Sequence, residues 1–398
     1  MMEKKAFLPG RSYEQSFAVP FAYPVHFQRD IFSADNPLLC NVLNRLHENR
    51  LHRAIVCVDE GVSDAHPDLI SKIRAYFDRY AGKTELKASP LCIPGGEKAK
   101  QWDTVRGLIR EIGEMHPDRQ SYVIAAGGGA VLDAVGFAAA LIHRGLRLIR
   151  IPTTTLAQND AGIGVKNGIN DLDQKNFIGT FAPPFAVLND ALFLRSLDFD
   201  HWIAGIAEAF KVALIKDADF FDYLLAHAAD FRERALNLME ESVYRCAVLH
   251  LDHIRDNGDP FEFGSARPLD FGHWAAHKLE SMSGYRVGHG QAVSIGICMD
   301  ACAAKKKGLL SEKEVRQILK GFTDCGLPVW HPLLEKTGKG GEPEILEGIE
   351  NFREHLGGQL TLTLPDGIGK KTEVHHMEEA YVKESIAFLR EFSSQKAD

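Results

Sequence analysis

The sequence predicts two units, an α/β N-terminal domain with a parallel sheet over residues 1–182 and a mostly α-helical C-terminal domain over residues 183–398. Three observations predict this. Short β-branched runs at 54–58, 122–126 and 148–151 are separated by helix-length segments, and strands that alternate with helices imply parallel pairing. After residue 181 such runs become scarce, and long stretches with a 3.6-residue period, 203–228 and 230–254, take over. At 398 residues the chain is long for a single core, so two compact units with a cleft between them are expected. The division is set at Pro183-Pro184, where two adjacent prolines remove backbone donors and disfavour a helix before them.

Composition narrows the function. Forty-six basic residues against fifty-four acidic ones give a net charge of −8, with no long Lys/Arg block, which argues against a nucleic-acid partner. An anionic substrate would therefore need a local basic pocket. The seven cysteines are odd in number, scattered and mostly in apolar runs, as expected of free thiols in a reducing cytosol. Residues 1–11 lack the apolar core of an export signal, and no run approaches eighteen apolar residues, so a cytoplasmic location without a membrane partner is expected.

Along the first half, Asp59-Glu60 ends an apolar strand, where a carboxylate can accept hydrogen bonds from ribose hydroxyls. A glycine-bearing loop follows, Gly95-Gly96-Glu97-Lys98-Ala99-Lys100. Gly127-Gly128-Gly129 then joins the 122–126 strand to a helix-compatible segment, 130–141, which carries Asp133. Glycines at a strand-to-helix turn let backbone N–H groups approach a pyrophosphate at the positive end of a helix. The spacing is not GxGxxG, and a triple glycine also serves a plain tight turn. Taken together, the three loops point to a dinucleotide.

The stretch from Pro152 to Gly179 is the most informative. Thr153, Thr154 and Thr155 follow an apolar strand, and Asp160, Lys166, Asn167, Lys175 and Asn176 come after them with glycines between. A polar surface loop is the plain reading. Such a set also suits a phosphorylated, hydroxyl-rich molecule. In the second half Glu208 and Lys211 stand three apart, on one helical face, a spacing more often seen in surface ion pairs. His273 and His277 stand four apart, and His289 lies between glycines after a loop. Three histidines and a Glu make a zinc set with an open position for substrate, or a group of acid/base histidines; spacing does not separate the two.

These motifs, in this order, resemble the sugar phosphate cyclases, the superfamily that includes 3-dehydroquinate synthase. The resemblance spans roughly residues 59–370: the Gly-Gly-Glu loop with Lys100, Gly127 to Asp133, Arg144-Gly145, Pro152 to Thr154, Asp160, Lys166, Lys175-Asn176, Glu208 with Lys211, His273 with His277, and His289-Gly290. It implies a dehydroquinate synthase-like fold, with a Rossmann-like parallel sheet and a helical second domain. It further implies that Glu208, His273 and His289 bind zinc, with cobalt as the alternative metal. Asp59, Glu97, Lys100, Gly128, Gly129, Asp133, Thr153, Thr154 and Lys175 would surround NAD. Arg144, Asp160, Lys166, Lys175, Asn176, Lys211, Asp270 and His277 would serve the substrate and its chemistry. The implied reaction moves a hydride from a secondary alcohol to NAD, eliminates phosphate, returns the hydride and closes a carbocycle by an aldol addition, in a homodimer.

Within the superfamily the substrate pocket departs from the dehydroquinate synthase pattern. Asp270 stands where that family has Asn, its expected lysine falls near Leu249 or His250, and its late Asp-Lys-Lys element is replaced by Arg353-Glu354-His355. A pocket that has lost lysines fits a substrate carboxylate poorly. The segments 267–273 and 352–358 are similar instead to the sedoheptulose 7-phosphate cyclases, whose substrate has a hydroxymethyl group at that place. His277 leans toward the 2-epi-valiolone branch or an uncharacterised one. A 3-dehydroquinate synthase and a metal-dependent polyol or glycerol-phosphate dehydrogenase are the alternatives.

Overall fold

A computed structural model describes residues 12–172, 174–256, 261, 268–338, 340–355 and 358–395. Arg267, Leu356 and Gly357, and the side chain of His355, fall outside the described residues, and with them part of the pattern read for the substrate pocket.

The first half forms one parallel sheet of seven strands: β1 (Val25–Gln28), β2 (His52–Asp59), β3 (Thr84–Leu86), β4 (Leu91–Ile93), β5 (Tyr122–Gly127), β6 (Arg147–Pro152) and β9 (Ala186–Asp190). The order is β1-β9-β6-β5-β2-β3, with β4 also paired to β2. Its central strand β5 is buried along its whole length, which is why its sequence is continuously apolar rather than alternating. After β2 the chain goes outward to β3 and β4, then returns to the other side of β2 as β5. This reversal opens a crevice at the carboxyl ends of β2 and β5, where open α/β sheets bind ligands.

The expected α/β and helical halves are both present, but β9 begins after Pro183-Pro184. The expected division at 182/183 therefore falls before the last strand of the sheet. Two prolines favour extended backbone, and here that backbone leads into β9 rather than into a linker. Between β6 and β9 lies an antiparallel hairpin that periodicity did not disclose, β7 (Lys166–Asp171) and β8 (Gln174–Phe181). Five of the eight residues of β8 are exposed and none is buried, so it carries no alternating apolar pattern.

The helical half is organised around Phe199–Lys216 and His289–Lys306, both buried along nearly their whole length. The expected helical stretch 203–228 is interrupted at Asp217, whose side chain accepts from the Phe220 N–H at 2.8 Å and so starts a new helix, Ala218–Ala226. The stretch 230–254 is likewise broken at Arg234, with φ of 64°, before the helix Leu236–Asp256 begins. A small antiparallel pair, β10 (Leu362–Pro365) and β11 (Lys371–Val374), packs within this mostly helical half. All seven cysteines are free, and only Cys92 is exposed. Among the described residues no helix is long and apolar enough to cross a membrane.

The two long helices approach closely because Gly290 has no side chain. A Cβ there would lie 2.5 Å from Ala204 Cα and 2.7 Å from its carbonyl oxygen. Gly290→Ala is expected to cost about 1–3 kcal/mol through overpacking. Urea denaturation checks this, and an unchanged midpoint would contradict the close approach.

Candidate active site

The segment from Pro152 to Asn167 joins the sheet to the helices. Arg150, fully buried in β6, donates to the carbonyls of Gly164 at 2.8 Å and Lys166 at 2.8 Å and to Asn167 Oδ1 at 2.7 Å, so one guanidinium shapes the loop. Thr155 Oγ1 donates to the His201 carbonyl at 2.8 Å and accepts from Gly205 N–H at 3.1 Å, while Asn159 Nδ2 donates to the Gly205 carbonyl at 2.7 Å. These bonds fix the loop against the first turns of Phe199–Lys216. Ala157–Ala161 forms a wide turn of π-helix, and Asp160 projects from it.

Glu208 and Lys211 are indeed on one face of Phe199–Lys216, but that face is buried: their side chains are 1% and 3% exposed. They form an ion pair through Glu208 Oε2 and Lys211 Nζ. Glu208 Oε1 makes no hydrogen bond, yet it lies 3.5 Å from His289 Nε2 and 3.7 Å from His273 Nε2. One ligand atom from each of Glu208, His273 and His289 falls within 4.8 Å of the others. The far sides of both rings are engaged: His273 Nδ1 meets the Phe271 carbonyl at 3.0 Å and His289 Nδ1 meets Glu280 Oε2 at 3.2 Å. Those contacts assign the proton to Nδ1 and leave each Nε2 lone pair facing Glu208, the arrangement of metal-binding imidazoles.

The electrostatics agree. Burial disfavours the charge on Glu208, and the Lys211 ammonium outweighs it, holding its pKa at about 2. Burial and the same ammonium push His273 down to about 3. Burial also works against charge on His289, but the Glu208 and Glu280 carboxylates on its two sides bring it to about 10. The site thus calls for positive charge between Glu208 and His289, which a divalent cation supplies in place of a proton. An N₂O donor set with these partners fits zinc. His277 is exposed, with its ring centroid 5.3 Å from that of His273 and 6.2 Å from that of His289.

Lys211 also faces the carboxylates of Asp160 and Asp270, which together with Glu208 raise its pKa against the pull of burial. Asp160 Oδ1 contacts His250 Nδ1 at 3.0 Å, and burial notwithstanding, Lys211 and His250 hold the Asp160 carboxyl far below its ordinary range. Asp160, Glu208, Lys211, His273, His289 and Asp270 are therefore one cluster.

A second cluster lies at the carboxyl edge of the sheet. Asp59 Oδ1 accepts from Gly61 N–H at 2.9 Å, and a Cβ on Gly95 or Gly127 would come within 2.9 Å of Asp59 or of Val131, respectively. The end of β2, the Gly95-Gly96 loop and the Gly127 turn thus converge on a cradle of bare backbone at the start of the helix Gly129–Leu141. Thr153 Oγ1 is buried there without a hydrogen-bond partner, whereas Thr154 Oγ1 accepts from the Ala157 N–H at 3.1 Å. An unspent buried hydroxyl beside a glycine cradle fits a bound dinucleotide. Lys100 pairs with Asp133 at 2.6 Å and with Asn176 Oδ1, and Lys175 pairs with Glu97 at 2.9 Å. Asn176, expected toward the substrate, is thereby brought against Lys100, which also holds Asp133.

Comparison with known proteins gives this arrangement its family. Residues 90–204 match the N-terminal domain model of 3-dehydroquinate synthase, and residues 205–340 match its C-terminal model. The 2-epi-valiolone synthase of Actinosynnema mirum is 32% identical over 370 residues, covering 92% of each chain. The chain belongs to the sugar phosphate cyclases of the 3-dehydroquinate synthase family. The 3-dehydroquinate synthase of Sulfurovum sp. is 33% identical over 309 residues, 76% of this chain and 83% of that one. Among solved structures, a 2-epi-5-epi-valiolone synthase from Streptomyces hygroscopicus subsp. jinggangensis with NAD+ and Zn2+ bound superposes with a TM-score of 0.84, at 29% identity over 95% of this chain and 99% of that one.

The two clusters bring together most of the expected site residues of a sugar phosphate cyclase; Arg144 and Lys166 lie outside them, and His277 stands at the rim of the first. Arg144 is exposed, in left-handed backbone with φ of 66°, ahead of the amino end of β6. The clusters lie at the other end of that strand, about 20 Å away at 3.3 Å per residue. Lys166 is exposed at the start of β7. Sequence reasoning left four residues of the cyclase site without a role: Arg150, His250, Glu280 and Asp300. The last is buried, accepts from Gly272 N–H at 3.0 Å and Trp274 Nε1 at 2.8 Å, and so fixes the chain on both sides of His273. Arg150 did carry a signal, a lone charge inside the run Leu148-Ile149-Arg150-Ile151.

Proposed function

We propose that this cyclase converts sedoheptulose 7-phosphate into a valiolone-type C7 cyclitol with loss of phosphate. The observation that carries the substrate is Asp270, whose carboxylate faces Lys211 together with Asp160 and Glu208. Among the described residues, the three acids around Lys211 leave that ammonium no charge to spare for a substrate carboxylate, and the nearby imidazole of His250 is already engaged by Asp160. A hydroxymethyl group is accepted there without repulsion, whereas a keto acid is not.

In this reading Glu208, His273 and His289 hold a zinc ion, for which cobalt can substitute, and the Asp59, Gly95 and Gly127 cradle with Thr153 holds NAD. When bound, the metal supplies Lewis acidity to a substrate oxygen, and the nicotinamide takes up a hydride and returns it. The chain's own residues do the rest. Lys211 stabilises negative charge that develops beside Glu208. Asp160, oriented by His250, accepts hydrogen bonds from substrate hydroxyls. Lys166 and Lys175 attract the phosphate, and the exposed imidazole of His277 moves a proton at the rim. Glu97, Lys100 and Asp133 set the width of the cofactor cradle, to which Gly128, Gly129 and Thr154 contribute backbone. Because the hydride goes out and comes back, the net change is elimination followed by aldol closure.

Arg144, exposed beyond the amino end of β6, serves the site of a second copy in a homodimer. Incubating the protein with sedoheptulose 7-phosphate, NAD and zinc is expected to release phosphate and yield a C7 cyclitol identifiable by NMR. Phosphate release from the seven-carbon keto acid phosphate, with none from sedoheptulose 7-phosphate, would overturn the substrate and favour a 3-dehydroquinate synthase.

A further inference from the structure

Glu280 stands seven residues after His273 on the helix His273–Met282 and is 6% exposed. Its two oxygens are divided between different parts of the molecule. Oε2 meets His289 Nδ1 at 3.2 Å, and Oε1 meets Lys175 Nζ, from the β7–β8 hairpin, at 3.4 Å. Lys175 in turn reaches Glu97 Oε1 at 2.9 Å and lies 4.2 Å over the Tyr285 ring, while Glu97 Oε2 accepts from Asn170 Nδ2 at 2.6 Å. An unbroken path of charged contacts therefore runs from the Gly95-Gly96 loop through Lys175 and Glu280 to His289.

A surface ion pair would account for Lys175 with Glu97, whose side chains are 30% and 46% exposed. It does not account for a buried carboxylate that faces an imidazole on one side and an ammonium on the other. We propose that Glu280 is a positioning residue tying the β7–β8 hairpin to His289, so that Lys175 influences metal affinity without touching the metal. This rests on the reading of Glu208, His273 and His289 as the metal ligands. The carboxylate fixes the His289 ring with its Nε2 lone pair toward Glu208, and Lys175 keeps the carboxylate in place. The docked position of the hairpin and occupancy of the metal site are then coupled, each favouring the other by the same factor.

The test is cobalt binding by the purified full-length chain, read from the visible absorption of the bound ion and from equilibrium dialysis. Glu280→Gln, which keeps the shape and removes the charge, is expected to weaken cobalt binding about 10- to 100-fold, the usual effect of losing a partner behind a ligating histidine, and to alter the absorption band. Lys175→Met is expected to weaken it by about threefold or more in the wild-type background and to add nothing in the Glu280→Gln background, as coupled neighbours do. Unchanged affinity in Glu280→Gln, additive effects, or unchanged or tighter binding in Lys175→Met would overturn the proposal. If Glu280→Gln fails to fold, the partly exposed Lys175→Met decides alone. Failure of the wild type itself to bind cobalt would instead overturn the ligand assignment, and leaves a separate signature because every variant would then behave alike.

Discussion

Glu208→Ala is expected to abolish metal retention and to lower turnover by about a thousandfold or more. The reason is geometric. Among the described residues, Glu208 Oε1 is the carboxylate atom facing the Nε2 atoms of both His273 and His289, at 3.7 and 3.5 Å, and without it two imidazoles remain. Changing a partner behind a metal ligand costs about 10- to 100-fold in affinity, so losing a direct ligand costs more. The substitution also leaves the Lys211 ammonium without its nearest counter-charge, although Asp160 and Asp270 still face it. Zinc content after gel filtration and phosphate release under saturating substrate measure the two effects. A variant that keeps stoichiometric zinc would refute Glu208 as a ligand.

Lys211→Met is expected to abolish turnover and to destabilise the metal-free protein by about 3–5 kcal/mol, the cost of leaving a buried charge without its partner. An exposed pair three residues apart would cost no more than about 1 kcal/mol. The difference lies in burial: both side chains are almost wholly covered, and the ammonium balances the carboxylates of Glu208, Asp160 and Asp270. Zinc is expected to restore more stability to Lys211→Met than to the wild type, because a divalent cation at Glu208 replaces the missing positive charge. Urea denaturation with and without zinc measures this. A loss below about 1 kcal/mol would return Glu208 and Lys211 to an ordinary surface pair.

Much of this was legible in the sequence, for identifiable reasons. The β2, β5 and β6 runs are buried on both faces, so their apolar character is continuous and plain. In the β7–β8 hairpin β8 is mostly exposed, and the buried stretch of β7 is only Asn167-Gly168-Ile169, so the hairpin gives no apolar period. β9 follows two prolines that read as a boundary, yet their extended backbone suits a strand as well as a linker. The candidate metal site was legible as a cluster because His273 and His277 share a helical face and His289 follows closely. Sequence spacing could not tell that His273 turns inward while His277 stays exposed. Glu280 and His250 were illegible for a different reason: each acts on a residue distant in the chain, His250 on Asp160 and Glu280 on Lys175, and only the packing of Leu236–Asp256 and His273–Met282 brings those pairs together. The Glu208 and Lys211 spacing was read correctly, and its significance came from burial that spacing alone does not reveal.

The proposed cyclisation is redox-neutral, with NAD used and restored within one turnover. The most direct measurement follows phosphate release and absorbance of reduced cofactor together, with sedoheptulose 7-phosphate in large excess over NAD and enzyme. Phosphate release exceeding the NAD supplied, with no net accumulation of NADH, is the predicted result. NADH accumulating in step with substrate consumed, without phosphate release, would rule out the cyclisation and make the protein a dehydrogenase.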